Sequence, residues 1–313
     1  MELSAAEIRR AVQAALAEDI GSGDATTLAT VPETATAKAV LRAREPLVVA
    51  GLDFAEVAFR DVFEFINRRG DLCEPQKSQN KLGRRRIPPS EKEIKIERLA
   101  RDGQRIKAGT NLMKISGPAR VILSAERVAL NFVQRLSGIA TLTARFVDAI
   151  KGADAQILDT RKTTPGWRRF EKYAVSCVGG KNHRFGLFDL VLIKDNHLAV
   201  PQLRNAAPNA IAAAVRRARE KFPRLKIEVE ADTLKQARQA AAAGADIILL
   251  DNMNPARLRL AVKKIKGRAK TEASGGVNLG NVQTIAKTGV DFISVGALTH
   301  SARAVDIGLD FET

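Results

Sequence analysis

The sequence predicts an α/β protein whose larger part is a (β/α) barrel, whole or slightly incomplete. Six short apolar runs recur between residues 156 and 295, and alanine-rich segments of helical length separate the later runs. Strands that alternate with helices in this way form βαβ units and a parallel sheet. Six repeats within one half of the chain favour a barrel over an open sheet. The runs are 156–158, 190–193, 227–229, 247–250, 270–273 and 292–295.

Elements of a different kind come first along the chain. Ser4 precedes an alanine-rich amphipathic helix, and Glu7 is placed to complete a capping box with it. Residues 37–50 alternate in polarity and predict strands, with a break at Pro46 because proline cannot donate to a sheet ladder. A second helix is predicted over residues 54–65.

Strand character returns over residues 94–123, where Gly103 and Gly109 give hairpin signals. Ser124 then begins a long helical stretch, because the apolar residues that follow it recur at helical spacing. Gly138 within this stretch predicts a bend or a break, since glycine is a poor helix former.

The composition indicates an anionic partner. The chain has 313 residues and a formal net charge of +16, and 4% of its residues are aromatic. Such a charge suits phosphate esters, carboxylates, nucleic acid or a membrane surface, but few aromatic residues disfavour single-stranded nucleic acid, which binds by stacking. Residues 67–93 contain a triple arginine and no periodicity, and predict a long surface loop that is either a solvated charge run or a nucleic-acid contact.

The cysteines and the N-terminal residues indicate the cellular compartment in which we expect the protein. Cys73 and Cys177 have no metal-ligand spacing, and we expect both to be reduced thiols in a cytoplasmic protein. The first residues lack the apolar run of a signal peptide, and no apolar stretch is long enough to span a membrane. We therefore expect no membrane partner.

Nearly every predicted barrel strand is followed by charged, small or hydrogen-bonding residues. In (β/α) barrels the active site is built from the carboxyl ends of the strands and the loops after them. The repetition of this pattern at six strands therefore predicts one functional face. The residues concerned are Asp159 to Lys162, Lys194 to His197, Glu230, Asp251, Asn252, Ser274 to Gly276, Gly296 and His300.

This face carries three kinds of group. Arginine and lysine match carboxylates and phosphates, and a cationic cluster is formed by Arg161, Lys162, His183, Arg184 and Lys194. Glu230 and Asp251 follow consecutive strands, and acids in a site for polyanions commonly hold a divalent metal. The turns at 274–276 and 295–301 predict a phosphate cradle, because glycine lets backbone N–H groups approach a phosphate.

Simpler interpretations stay open for some of these residues. Arg168 and Arg169, beside the cluster, are either part of it or solvated surface charges. His183 is either a site residue or a hydrogen-bonded core histidine. Lys194 either pairs with a nearby acid or forms a Schiff base with a carbonyl substrate.

Together the motifs resemble the quinolinate phosphoribosyltransferase family, also called nicotinate-nucleotide pyrophosphorylase (carboxylating). The matching stretches run in the family's order over nearly the whole chain. They include DTRKTTPGWR (159–168), GGKNHRFGLFD (179–189), IKDNH (193–197), EVEADT (228–233), LLDNM (249–253) and EASGGV (272–277). The departure is the 67–93 loop, which is longer and more basic than is usual in the family.

The resemblance implies an N-terminal α/β sandwich domain over residues 1–123 and a TIM-like, incomplete barrel of about seven strands over 124–302. Residues 303–313 are expected to return to the first domain. It also implies a homodimer or larger assembly, in which Arg127 reaches the neighbouring site. The family's reaction joins quinolinate to 5-phosphoribosyl-1-pyrophosphate with Mg²⁺ as cofactor. It yields nicotinate mononucleotide, pyrophosphate and CO₂ in de novo NAD biosynthesis.

The resemblance also implies residue roles. Lys162, Glu230 and Asp251 are the expected catalytic residues, and the two acids are the expected metal ligands. The expected substrate-binding residues are Arg127, Thr160, Arg161, Lys162, His183, Arg184, Lys194, Glu230, Asp251, Ser274, Gly275, Gly296 and His300.

Other functions compete with this one. The nearest is a related phosphoribosyltransferase that acts on another ring acid, either nicotinate or the substrate of a molybdenum-locus paralogue. A lyase that uses Lys194 for a Schiff base is the second, and a basic nucleic-acid binder is the third. We expect no nucleic-acid partner, because anionic substrates account for much of the positive charge.

Overall fold

The computed structural model describes residues 1–69, 93–200 and 209–312. Of the predicted surface loop, residues 70–92 lie outside the described residues, and so does Cys73. The chain divides into two compact units, one of Met1–Thr141 with Arg303–Thr313 and the other of Leu142–Ala302. The predicted domain boundary after residue 123 stays a prediction.

The elements of the described residues follow in chain order. The helices are α1 (Ala5–Ile20), α2 (Ala25–Thr30), α3 (Leu52–Arg69), α4 (Ala119–Ala149), α5 (Arg168–Ser176), α6 (Asp195–Leu198), α7 (Ala210–Lys221), α8 (Leu234–Ala242), α9 (Pro255–Ile265), α10 (Val282–Ala286) and α11 (Ala297–His300). The strands are β1 (Thr36–Ala43), β2 (Leu47–Val48), β3 (Lys95–Arg98), β4 (Arg105–Ile106), β5 (Asn111–Pro118), β6 (Gln156–Leu158), β7 (Val191–Ile193), β8 (Ile227–Ala231), β9 (Ile247–Asp251), β10 (Lys270–Ser274), β11 (Phe292–Ser294) and β12 (Ile307–Phe311).

An antiparallel sheet in the order β12–β1–β5–β3 forms the framework of the first unit. Leu41 of β1 pairs with Leu309 of β12, so the last residues of the chain complete this sheet. Phe54 of α3 stacks on Phe132 of α4 with 4.8 Å between ring centroids, and both rings are buried. The predicted capping box is confirmed, because Ser4 accepts from the N–H of Glu7 and donates its own N–H to that side chain.

The two predicted hairpins are wrong. Gly103 and Gly109 do adopt positive φ angles of 84° and 82°, as tight turns require. However, β4 pairs with β2, and β5 pairs with β1 and β3. The turns therefore connect strands that belong to different sheets, and local turn signals cannot show which distant strand will be the partner.

The predicted start of the long helix is also wrong, and of the bend or break predicted at Gly138 the break does not occur. Helix α4 begins at Ala119 instead of Ser124. Val121 and Ile122 are β-branched and therefore resemble strand residues in the sequence, but they lie in the first turn of this helix and are buried. The helix also continues through Gly138 without a break. A Cβ atom built there would lie 1.9 Å from the carbonyl oxygen of Arg303, so the glycine is needed for a close backbone approach.

The second unit is the predicted incomplete barrel. Six parallel strands pair in the order β6–β11–β10–β9–β8–β7. An isolated parallel bridge joins Leu158 of β6 to Lys181, which adds a seventh strand position beside β6. Among the helices of the described ranges, none combines the length and the hydrophobicity that crossing a bilayer would require.

We expect Gly138→Ala to lower the free energy of unfolding of the protein by at least ~1 kcal/mol, because the new methyl group has no room beside Arg303. Urea unfolding measures this loss. Asn131→Ala, at an exposed position of the same helix, is the matched control and should change stability by less than ~0.5 kcal/mol. Equal stability of the two variants would contradict the proposed reason for the glycine.

Candidate active site

The carboxyl ends of the parallel strands surround one cavity of about 660 Å³. It collects residues from the ends of β6 to β11, as the register of neighbouring strands requires: Ser274 pairs with Asp251, and Glu230 with Leu249. Every predicted substrate-binding residue except Arg127 lines it. These are Thr160, Arg161, Lys162, His183, Arg184, Lys194, Glu230, Asp251, Ser274, Gly275, Gly296 and His300.

Arg127 lies on α4 within the first unit and is not one of the described residues that line the cavity. Its expected reach into a neighbouring subunit's site stays a prediction.

A buried ion pair fixes the segment that carries His183. The Lys172 ammonium contacts the Asp159 carboxylate, and both side chains are fully buried. Asp159 also accepts from the Asn182 amide at 2.7 Å and from the backbone N–H of His183 at 2.9 Å, while Lys172 donates to the carbonyl of His183 at 3.1 Å. Burial raises the pKa of Asp159 and lowers that of Lys172, and the attraction between the two charges opposes both shifts.

Arg168 is not a solvated surface charge. Its guanidinium donates to the Thr163 hydroxyl and to the carbonyl of Phe185, both at 3.0 Å, so it ties the loop after β6 to the loop before β7. Arg161 and Arg184 in the cavity are less well neutralised. Burial and the charge of Arg161 both lower the pKa of Arg184. The Nε atom of Arg161 is buried and has no hydrogen-bond partner within the described part of the chain, which is what a site for an anion provides.

The acids on the opposite side of the cavity interact with each other and with one lysine. Lys194 lies 3.3 Å from a carboxylate oxygen of Glu230, which confirms the predicted pairing of this lysine with an acid. Burial and the charges of Asp251 and Asp195 raise the pKa of Glu230, and Lys194 opposes the rise. Two carboxylates that repel each other across a cavity provide the hard oxygen ligands that Mg²⁺ prefers. Glu230 and Asp251 therefore fit a divalent cation.

A strained turn holds Asp251 in position. Asn252 has a φ angle of 52°, in the left-handed region, and its side-chain amide donates to Asp251 at 2.6 Å. Its backbone N–H donates to the carbonyl of Ser274. Gly275, at φ 93°, leaves room for this arrangement, because a Cβ atom there would lie 2.1 Å from the Asn252 side-chain oxygen.

A buried cluster of His183, Glu228 and Glu272 lies at the cavity and was missed at the sequence level. The Nε2 atom of His183 lies 2.9 Å from Glu228 and 3.7 Å from Glu272, and the two glutamates are 0% and 1% exposed. His183 is therefore both a cavity residue and a hydrogen-bonded interior one. The available signal was a glutamate inside each of two apolar runs, KIEV and TEAS, where a charge needs a partner.

Comparison with known proteins shows the family of the chain. The family model for the quinolinate phosphoribosyl transferase C-terminal domain matches residues 139–310, and that for the N-terminal domain matches residues 81–137. The chain belongs to the quinolinate phosphoribosyltransferase family. A nicotinate-nucleotide pyrophosphorylase [carboxylating] of Mycobacterium leprae is 40% identical over 96% of each chain. A chloroplastic one of Arabidopsis thaliana is 39% identical over 98% of this chain and 83% of its own length.

Solved structures of relatives include the nicotinate-nucleotide pyrophosphorylase from Francisella tularensis. It matches with a TM-score of 0.83 and 37% identity over 99% of this chain and 98% of its own. In this member of the quinolinate phosphoribosyltransferase family, the fold expected from the resemblance is thus confirmed. The individual roles of the cavity residues stay predictions.

We expect Lys172→Met to lower the free energy of unfolding by about 3–5 kcal/mol, because it leaves the buried Asp159 carboxylate without its counter-ion. Chemical denaturation measures the loss. Lys181→Met, in which an exposed lysine receives the same change, is the control and should stay within ~0.5 kcal/mol of the parent protein. A loss below about 1 kcal/mol for Lys172→Met would contradict the structural role of the pair.

Glu272 predicts a pH dependence of stability. Burial and the neighbouring Glu228 raise its pKa to about 8, while His183 and the nearby Ser294 hydroxyl oppose the rise. Between pH ~4.5 and pH ~8 the unfolded chain has released this proton and the folded chain retains it, so stability falls as the pH rises through that window. Glu272→Gln should flatten this fall by up to about 1.4 kcal/mol per pH unit. Denaturation curves at a series of pH values test this, and an unchanged slope would contradict the assignment.

Proposed function

We propose that the chain transfers the phosphoribosyl group of 5-phosphoribosyl-1-pyrophosphate to quinolinate and removes one carboxylate. The products are nicotinate mononucleotide, pyrophosphate and CO₂, and the pathway is de novo NAD biosynthesis. The observation that carries the proposal is the convergence of Arg161, Arg184 and Lys194 with Glu230 and Asp251 on one cavity, in a member of this family.

Quinolinate is a pyridine dicarboxylate, and its negative charges suit the cationic side of the cavity. Arg161 and Arg184 carry planar guanidinium groups that match a carboxylate through two parallel hydrogen bonds. Lys194 adds a point charge, and Thr160 and His183 add further hydrogen-bonding groups. A bound dicarboxylate would relieve the repulsion between Arg161 and Arg184, which supports their assignment to this substrate.

The phosphoribosyl donor occupies the remaining part of the cavity in this proposal. Lys162 meets its phosphates, while Glu230 and Asp251 hold Mg²⁺ or the ribose hydroxyls. Bound Mg²⁺ would neutralise charge on the departing pyrophosphate. The 5′-phosphate end is assigned to the glycine-bearing turns and the histidine beside them: Ser274, Gly275, Gly296 and His300.

The reaction needs the two anions side by side, and the cations of the cavity offset their repulsion. The ring nitrogen of quinolinate attacks C1 of the ribose as pyrophosphate leaves. The carboxylates of Glu230 and Asp251 favour the positive charge that develops on the sugar. Once the ring nitrogen is quaternary, its positive charge stabilises the electron pair that stays on C2 when the 2-carboxylate departs. This stabilisation by the ring itself removes the need for a separate cofactor in the decarboxylation.

Assembly and location belong to the proposal as well. We propose a homodimer or larger oligomer in the cytoplasm, in which Arg127 of one subunit completes the site of its neighbour. No nucleic acid or membrane takes part. Light scattering and an assay of mixed Arg127→Ala and Arg161→Ala subunits would test this assembly, since mixing should restore some activity.

The deciding experiment is an assay with quinolinate, 5-phosphoribosyl-1-pyrophosphate and Mg²⁺, in which mass spectrometry follows nicotinate mononucleotide. Nicotinate in place of quinolinate is the parallel reaction. Product from quinolinate alone supports the proposal. Product from nicotinate alone would favour the competing activity on another ring acid.

We expect Arg161→Ala to lower kcat/KM for quinolinate at least a hundredfold, because it removes a cavity guanidinium whose Nε atom has no partner in the protein residues described. Steady-state kinetics and quinolinate calorimetry measure the loss, and the unfolding midpoint should be kept. Arg259→Ala, at an exposed position on α9, is the control. Turnover of Arg161→Ala within a few-fold of the parent protein would refute the assigned role.

A further inference from the structure

The cluster of His183, Glu228 and Glu272 has a geometry that the proposed binding roles do not explain. One nitrogen of the imidazole faces both glutamates, at 2.9 Å and 3.7 Å. Neither oxygen of Glu272, nor Oε1 of Glu228, has a hydrogen-bond partner among the described residues. Glu272 and His183 also line the cavity, so this buried group of acids is in contact with the substrate space.

Protonation lowers the free energy cost of burying the acids of this cluster. A buried carboxylate without a partner is costly and takes up a proton instead. Neither oxygen of the Glu272 carboxyl group has a hydrogen-bond partner among the described residues, and burial raises its pKa to about 8, so it keeps its proton at neutral pH. Glu228 accepts the Nε2 hydrogen of His183. Burial opposes a charge on the imidazole, but Glu228 and Glu272 outweigh burial and raise the pKa of His183.

This arrangement decides which atom of His183 faces a ligand. With Nε2 directed at the glutamates, Nδ1 is the ring nitrogen left for the cavity, and none of the hydrogen bonds between described residues engages it. The Asp159 and Lys172 contacts to the His183 backbone hold the ring in this position. An imidazolium so oriented presents an acidic N–H to the substrate.

The reaction requires one proton that no residue has yet been assigned to supply. When the carboxylate leaves C2 of the quaternised ring, the electron pair of the broken C–C bond stays on C2. That carbon must gain a proton, or CO₂ can add back to it. The other members of the cationic cluster are guanidinium and ammonium groups whose ordinary pKa values are far higher, so they are poor acids at neutral pH. The second histidine of the cavity, His300, is assigned to the 5′-phosphate end of the other substrate.

We propose that His183 is the acid that protonates C2 after decarboxylation, with Glu228 and Glu272 as the positioning residues that keep its ring cationic and its Nδ1–H directed into the cavity. The inference rests on the proposed function. In the step, the bond from C2 to the carboxylate breaks and CO₂ leaves. The Nδ1–H bond breaks, its electron pair stays on the imidazole, and a C2–H bond forms. The neutral imidazole regains a proton from water after the product leaves.

The surroundings of His183 come from several elements and have both signs of charge. Lys172 disfavours the imidazolium, and Arg184 is close enough to Glu228 for their charges to interact. The charged groups nearest the ring are Glu228 on β8, Glu272 on β10, Lys172 on α5 and Asp159 after β6. The same cavity also holds Arg161, Lys162, Arg184, Lys194, Glu230 and Asp251. The hydrogen bond to Glu228 is the largest influence that favours a proton on His183, and it acts against burial and the charge of Lys172.

The test separates the two chemical steps in one turnover. The full-length protein is mixed with saturating quinolinate, 5-phosphoribosyl-1-pyrophosphate and Mg²⁺, and pyrophosphate, CO₂ and the nucleotides are quantified after rapid quenching. For His183→Asn we expect pyrophosphate to form while CO₂ release falls at least tenfold relative to it. A nucleotide that retains both carboxylates should accumulate. Release of CO₂ in step with pyrophosphate would overturn the proton-donor role.

The glutamates give a second, graded test. Glu228 lies 2.9 Å from Nε2 of His183 and Glu272 lies 3.7 Å from it, so replacing Glu228 by the neutral glutamine removes the closer of the two acids. Glu228→Gln should therefore slow CO₂ release, relative to pyrophosphate release, at least fivefold more than Glu272→Gln does. Equal effects would overturn the positioning role. Glu220→Gln, at an exposed site on α7, is the matched control, and thermal unfolding establishes that each variant is folded.

Two further outcomes are informative. A stoichiometric transition metal in the purified protein that His183→Asn removes would overturn the proposal, because a metal would then occupy the place of the protons. If the parent protein forms no pyrophosphate from the two substrates, the proposed function fails. If the parent protein is active and the variants keep CO₂ release in step with pyrophosphate release, the proton-donor role alone fails. His183→Gln serves where His183→Asn does not fold.

Discussion

The parallel pairing of the barrel strands is the constraint on which the site depends. Parallel strands place all of their carboxyl ends at one edge of a sheet, and the register between them is fixed by the backbone ladder. Side chains from distant parts of the sequence therefore meet without any direct attraction between them. In this chain the meeting groups are cations after β6 and β7 and acids on β8 and β9. Groups of like charge among them repel one another, as Arg161 and Arg184 do and as Glu230 and Asp251 do.

Buried and half-buried contacts hold in place the segments that carry these charged side chains. Lys172 and Asp159 form a fully buried pair that holds the backbone of His183, and Arg168 ties together two loops at the cavity. These interactions leave Arg161 and Arg184 free to meet a ligand instead of a protein carboxylate. The site therefore has two groups of charged residues. Charges such as Lys172 and Asp159 are paired inside the protein, whereas cations such as Arg161 are left for an anionic ligand.

The residues that line the cavity could be predicted from a local sequence pattern, whereas several helix and strand features could not. Polar residues after apolar runs located the cavity lining, because that rule needs only the order of the strands. The hairpins at Gly103 and Gly109 were wrong because strand partners are chosen by packing far along the chain. The break at Gly138 was wrong because glycine there meets the carbonyl of Arg303, which is distant in sequence. Glu228 and Glu272 were missed, since an acid within an apolar run does not reveal its partner.

The sequence by itself determined the alternation of strand and helix, the family, and the identity of the groups at the strand ends, because each depends on residues close together along the chain. Only the tertiary structure decided which charges are satisfied inside the protein and which are left for a ligand. Lys172 and Arg161 are both cations near the end of β6, but the first is neutralised by Asp159 and the second has a buried donor without a partner among the described residues. Pairing of charges depends on distance in space and on burial, and neither is written in the order of residues.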